Sequence, residues 1–174
     1  FAADPVGDLS ALVSPGVLHK YEGRALILTT SACGIHCRYC FRREFPYQET
    51  GSRKDDWLPS IEYLQNHPDI DEVILSGGDP LTTTDEKLDQ LISALEDIPH
   101  LKRLRLHSRM PIVIPQRITG ELVKRLSSSR LSVWMVIHAN HPQELSESVL
   151  SRTAQLIDCG IPVLNQAVLL RGVN

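Results

Sequence analysis

Three cysteines, Cys33, Cys37 and Cys40, fall within eight residues in the spacing C-x3-C-x2-C. A tetrahedral structural zinc takes four ligands, so His36, His19 or His107 would have to complete such a site. An iron–sulfur cube held by three thiolates instead leaves one iron open to another ligand. The remaining cysteine, Cys159, sits at the end of a helical stretch that points away from the triplet and reads as a small buried hydrophobe. The question set by the triplet is what else reaches the same place.

The elements that could bring other groups there follow from apolar periodicity. Apolar runs begin at Ala25, Asp71, Leu101, Leu131 and Ile161, which are 46, 30, 30 and 30 residues apart. Between them lie helical stripes. Trp57, Ile61 and Leu64 form one, with Pro59 in its first turn. Leu88, Leu91, Ile92 and Leu95 form the next, with Thr84 placed to cap and Asp85 and Glu86 in the first turn. Leu122, Val123 and Leu126 follow a Thr119 cap. Val149, Leu150, Thr153, Leu156 and Ile157 make the last, closed by Gly160.

Strand and helix alternating at this interval imply βαβ units and a parallel sheet. The first interval is longer because the cysteine loop lies inside it. Periodicity alone fits a partial barrel or an open doubly wound sheet. Five strands and four helices are expected, with the chain ending at Asn174 just past strand five, so a fragment truncated before barrel closure is expected. Residues 1–19, which include Pro5, Pro15 and Gly16, are expected to be an irregular lead-in packed on the outside, and 20–174 the core.

In a parallel α/β array the loops after the strands share one face, and that face holds the site. The cysteines follow strand one, Ser76-Gly77-Gly78-Asp79-Pro80 strand two, His107-Ser108-Arg109 strand three and His138-Ala139-Asn140-His141 strand four. Gln166 lies toward the end of strand five.

Composition narrows the class. The chain has 174 residues, 42% hydrophobic and 22% charged, with net charge −3, which gives no electrostatic footprint for nucleic acid. No run approaches the roughly 18 apolar residues of a membrane span, and the start lacks a charged-then-apolar signal pattern. Clustered free thiols suit a reducing, cytoplasmic setting.

The triplet, the aromatic Tyr39 before its third cysteine and the Gly77-Gly78-Asp79 turn one unit later together resemble the radical S-adenosylmethionine (SAM) enzymes. Longer stretches resemble the lysine 2,3-aminomutase family: 37–47, 75–81, 108–119 and 165–174. Phe41 and Phe45-Pro46-Tyr47 are closer to the branch that makes (R)-β-lysine for elongation factor P; enzymes making free β-lysine are the nearer alternative.

The resemblance implies a partial (βα)6 TIM-like barrel. Cys33, Cys37 and Cys40 would hold a [4Fe–4S] cluster, and SAM would chelate its open iron. Gly77, Gly78 and Asp79 would hold the amino group of SAM, since glycine permits close approach and a carboxylate pairs with an ammonium. His138 and Gln166 match SAM-contacting positions and keep the family's 28-residue separation. Tyr39 would border the adenine, and Arg109 would contact an anion near SAM. Arg24 and Tyr21 match residues that bind pyridoxal 5′-phosphate (PLP). Lys20 stands where catabolic members have an arginine, keeping the charge without the bidentate fork. Arg42 matches the arginine that clamps the carboxylate of L-lysine; the plainer reading of Arg38, Arg42 and Arg43 is a solvated basic loop.

The implied reaction is reductive cleavage of SAM to a 5′-deoxyadenosyl radical, which moves nitrogen from C2 to C3 of a PLP-bound lysine. An electron donor such as flavodoxin or ferredoxin is implied, and homo-oligomerisation is left open. None of Lys20, Lys54, Lys87, Lys102 and Lys124 is placed to anchor PLP, so its lysine is expected beyond Asn174. A PLP-independent radical SAM enzyme and a zinc-binding structural module are the competing readings.

Overall fold

Side chains point alternately to the two faces of a strand, and in β5 burial follows that period through Leu104, Leu106 and Ser108. The computed structural model describes residues 3–50 and 57–174; Lys54 lies outside them. The elements run β1 (Leu12–Ser14), β2 (Val17–Tyr21), β3 (Arg24–Thr30), α1 (Leu58–Gln65), β4 (Glu72–Gly77), α2 (Asp85–Glu96), β5 (Arg103–Ser108), α3 (Met110–Val113), α4 (Gly120–Ser127), β6 (Ser132–Ile137), α5 (Glu147–Asp158) and β7 (Val163–Asn165).

Among the described residues the strands form one seven-stranded sheet in sequence order. β1, β2 and β3 pair antiparallel; β3 to β7 are parallel throughout. The sheet is open, as a partial barrel of the TIM type is.

One face of the sheet carries the core. Ile27, Val73, Leu75, Leu104, Leu106, Val133 and Met135 are buried against the apolar stripes of the helices. Those stripes are Leu64 of α1, Leu88, Leu91, Ile92 and Leu95 of α2, Leu122, Val123 and Leu126 of α4, and Val149 and Leu156 of α5. Burying them removes the large apolar area that holds a domain of this size together.

The opposite face mixes Leu26 and Ile74, paired in register, with a row of charges. Arg24, Glu72 and Arg103 sit side by side in the register of β3, β4 and β5. Buried Glu72 accepts from Arg103 Nε at 3.1 Å and Arg105 Nη2 at 2.5 Å, and Arg24 Nε lies at 3.7 Å. Arg24, Glu72 and Arg103 are the first residues of their strands, so this ion cluster sits at the end of the sheet opposite the loops that follow the strands.

Several expectations change. The lead-in is not irregular: Pro15-Gly16 turns β1 into β2, and β2 pairs with β3. Short strands of three and five residues give too little alternation to stand out in a sequence. α3 was not anticipated either, because Pro111 in its first turn reads as a breaker yet suits that position. Cys159 caps α5 and is exposed rather than buried. Thr119 caps α4 as expected, its Oγ1 accepting from Leu122 N at 3.1 Å. Thr84 occupies the N-cap of α2 without a side-chain bond. Ser146 caps α5 through Val149 N at 3.4 Å.

Candidate cofactor-binding site

The loop that follows β3 lies over the C-terminal edge of the sheet. Cys33, Cys37 and Cys40 line a cavity of about 220 Å³ together with Tyr39, Arg42, Gly77, Gly78, Asp79, His107, Arg109, His138 and Gln166. The ends of five parallel strands therefore contribute to one space. All three thiols are free.

Burial pushes the Cys33 thiol up to about 11, helped by the charge of Asp79 and the two other sulfurs. Cys37 is also raised, by burial above all, with Arg109 acting the other way. Thiolates are the ligating form, so metal loading here must release protons. Among the described residues no three His, Cys, Asp or Glu side chains converge on a single-ion site.

The Gly77-Gly78 pair has a reason the sequence does not reveal. Gly78 N donates to Thr30 O at 2.6 Å and Asp79 N to Ala32 O at 2.7 Å, strapping the end of β4 to the cysteine loop. A Cβ on Gly78 would stand 2.2 Å from Ala32 O, and one on Gly77, whose φ is +112°, 2.9 Å from Thr30 O. The glycines thus let two loops close on each other. Gly34 does the same beneath the triplet, where a Cβ would meet Met110 Sδ at 2.5 Å.

Asp79 is 5% exposed and its carboxylate already holds four donors. Oδ1 accepts from Ser108 Oγ at 2.7 Å and Leu81 N at 3.0 Å; Oδ2 accepts from Arg109 N at 2.7 Å and Met110 N at 3.2 Å. A carboxylate offers about four lone-pair directions, so an ammonium would have to share one. The sequence placed Ser108 after strand three but gave it no role, since it has no spacing signal of its own.

Tyr39 is fixed from two sides. Its hydroxyl pairs with Asn140 Nδ2, and Arg109 lies over its ring with Cζ 5.5 Å from the centroid. Glu144 joins the two, accepting from Arg109 Nη2 at 2.5 Å and Asn140 N at 2.7 Å. Asn140 Oδ1 also accepts from Val168 N at 2.7 Å. The sequence placed Asn140 after strand four without a role, and it did not single out Glu144.

His138 and Gln166 follow directly on residues paired in register, Ile137 and Asn165, which is why their sequence separation brings them together. Asn165 locks the arrangement by bonding Ala139 N and O at 2.9 and 3.0 Å. His107 reaches the same cavity from β5, its ring centroid 6.1 Å from that of His138. Burial, with the neighbouring His138 and Arg105, holds His107 down to about 4; burial also lowers His138. Both imidazoles are therefore neutral at neutral pH. Nε2 of each, and Nε and Nη1 of Arg109, are buried without a partner among the described residues. Unsatisfied polar atoms around a cavity are what a polar ligand would satisfy.

Arg42 is not a solvated loop arginine. It is 8% exposed, donating from Nε to Asp8 Oδ2 at 2.7 Å and from Nη1 to Ser76 Oγ at 3.1 Å. Exposed Arg38 and Arg43 do fit the solvated reading. A second cavity of about 390 Å³ adjoins the first, with Arg42 and Gln166 lining both; Lys20, Tyr21 and Arg24 line the second. Lys20 Nζ bonds Asp8 Oδ1 at 3.1 Å and Val6 O. Lys87 and Lys124 lie on the outer helices α2 and α4, and Lys102 precedes β5 at the far end of the sheet.

Comparison with known proteins supplies an independent line. The model of the radical SAM superfamily matches residues 27–174. A protein of Escherichia coli K12 named L-lysine 2,3-aminomutase is 50% identical over 174 residues, covering 100% of this chain and 51% of the relative. A Haemophilus influenzae protein of the same name is 47% identical over 174 residues, covering 100% and 52%. One from Clostridium subterminale is 42% identical over 172 residues, covering 98% and 41%. The chain spans about half the length of the curated relatives it matches.

Proposed function

The chain belongs to the radical SAM superfamily, and from that premise we propose that it is the radical-generating part of an isomerase like lysine 2,3-aminomutase, converting L-lysine to (R)-β-lysine. The observation that carries the reading is the place of Arg42 on the wall between two adjoining cavities, one lined by the three cysteines and the other by Lys20 and Arg24.

The donor set fits the cofactors. Three thiols around one cavity would hold a [4Fe–4S] cluster through Cys33, Cys37 and Cys40. The partnerless nitrogens of Arg109 and His138, with Gln166 and the Gly77-Gly78-Asp79 turn, would hold SAM beside it. Tyr39 would border the adenine. Cluster and SAM when bound supply a carbon radical able to take hydrogen from an unactivated C–H bond.

The chain's own residues place the partners of that chemistry. Asp79, saturated by four donors, would favour the SAM ammonium through its charge rather than through a vacant lone pair. Arg42 would take the substrate carboxylate through its remaining N–H groups, as a guanidinium fork does. Lys20, Tyr21 and Arg24 would receive the phosphate of PLP in the second cavity. Neutral His107 and His138 would add no positive charge to the first cavity beyond that of Arg42 and Arg109. Phe41 and Phe45-Pro46-Tyr47 support a product destined for elongation factor P. A small one-electron carrier of the flavodoxin or ferredoxin class would supply the electron.

The test is anaerobic reconstitution with iron and sulfide. The expected result is a brown protein whose reduced cluster changes its EPR signal on adding SAM, and whose full-length form turns L-lysine into β-lysine. A colourless zinc protein, or full-length protein that leaves lysine untouched, overturns it.

A further inference from the structure

The lead-in carries a carboxylate in an unusual place. Asp8 is 5% exposed, with Oδ2 on Arg42 Nε at 2.7 Å and Oδ1 on Lys20 Nζ at 3.1 Å. The turn that carries it is itself built. Asp4 Oδ1 accepts from Asp8 N at 2.8 Å and Asp4 Oδ2 from Leu9 N at 2.9 Å, and Ala11 N donates to Asp8 O at 3.1 Å. One short segment thus delivers a buried carboxylate to two cations on the walls of the second cavity.

An acid beside an arginine weakens that arginine's pull on another anion, so charge alone would argue against placing one here. Direction argues for it. A guanidinium has five N–H groups. Asp8 takes the one on Nε and Ser76 takes one on Nη1, which leaves one on Nη1 and both on Nη2. Those two nitrogens form the end edge of the fork, and a carboxylate needs two parallel N–H groups. A free arginine would spread over several rotamers, and ordering it on binding would cost affinity.

We propose that Asp8 is a positioning residue that fixes Arg42 so that the Nη1–Nη2 edge meets the substrate carboxylate, while holding Lys20 at the mouth of the adjoining cavity. This rests on reading Arg42 as the substrate-carboxylate contact. The alternative role for such an acid is a place-holder that a substrate must displace, and the two differ in sign: removing a positioner weakens lysine binding, removing a competitor strengthens it.

The experiment compares full-length protein with its Asp8→Asn and Asp8→Glu variants. Without substrate, phenylglyoxal modification of Arg42, followed by peptide mass spectrometry, is expected to speed up in Asp8→Asn as the guanidinium comes free. With cluster and PLP loaded, KM for L-lysine is expected to rise about tenfold with kcat within about threefold. The SAM-induced EPR change should be unaltered. Asp8→Glu, which keeps the charge, should restore much of both. An unchanged or lowered KM overturns the proposal whatever the Arg42 reactivity, and a lowered one assigns Asp8 the place-holder role. Should Asp8→Asn fail to fold by circular dichroism, a folded Asp8→Glu with KM near the unmodified value supports it, and one with KM raised tenfold overturns it. Unmodified protein that ignores lysine, while Asp8→Asn still frees Arg42, would retire the substrate reading and leave the positioning role standing.

Discussion

Ser108 Oγ donates to Asp79 Oδ1 at 2.7 Å across 29 residues of sequence, joining the end of β5 to the loop after β4. With Arg109 N and Met110 N on the other oxygen, one carboxylate holds two strand ends and the start of α3 in a single arrangement. The cavity floor between the cysteines and His138 depends on that junction.

Replacing Asp79 by Asn should therefore destabilise the fold as well as the site. The amide keeps one acceptor oxygen and turns an NH2 toward backbone N–H groups. A loss of about 3 kcal/mol is expected, against about 1 kcal/mol for Ser108→Ala. Urea unfolding of the metal-free protein measures both, and equal effects would count against the four-donor junction.

Gly78→Ala should cost cluster retention. The new Cβ would meet Ala32 O at 2.2 Å, and backbone cannot yield as a side chain can, so the cysteine loop must lift. Iron content after reconstitution should fall well below that of the unmodified protein. Gly120→Ala is the control, since nothing lies within 4 Å of a Cβ there; its iron content should be unchanged.

Stability should fall as the solution is acidified. Burial holds His107 at about 4 in the fold, below its ordinary value of 6.5, so the unfolded chain binds more protons between those two pH values. The stability that the neutral ring contributes is present above about pH 6.5 and is lost as pH falls toward 4. The contribution is of order 2 kcal/mol, and His138 acts in the same direction. Denaturation midpoints measured from pH 7.5 to 4 should drop, and His107→Phe should flatten the slope.

Tyr39→Phe and Tyr39→Leu separate the two contacts of that ring. Phenylalanine loses the hydroxyl bond to Asn140 but keeps the face under Arg109, and SAM should bind a few-fold more weakly, equivalent to about 1 kcal/mol. Leucine loses the cation–π contact as well, for roughly another 0.5–1 kcal/mol. Titration of the SAM-induced EPR change measures both affinities.

Arg42→Lys should raise KM for lysine by about tenfold or more, because an ammonium replaces a fork that is already held by Asp8 and Ser76. Steady-state kinetics on the full-length protein gives the value. An unchanged KM would remove Arg42 from the substrate site.

Local patterns carried much of this protein in plain view. Three thiols in one short loop point to metal or redox chemistry by their type and spacing alone. The 30-residue recurrence of apolar runs and the stripes of α2, α4 and α5 depend only on which residues must face a core, so sequence alone determined the parallel sheet and the face on which the polar loops meet. Register then carries His138 and Gln166 to one spot. Tertiary structure decided what no local pattern encodes. The β1–β2 hairpin is too short to show alternation, and its strands exist because β3 offers an edge to pair with. Gly78 is glycine because Ala32 O comes down on it. Asp79 is saturated by three backbone N–H groups and the Ser108 hydroxyl, none with a sequence signature, and Asp8 meets Arg42 across 34 residues only because a turn capped by Asp4 sets it there. Side-chain type shows what a residue can do; its partners exist only once distant segments have been brought within hydrogen-bond reach.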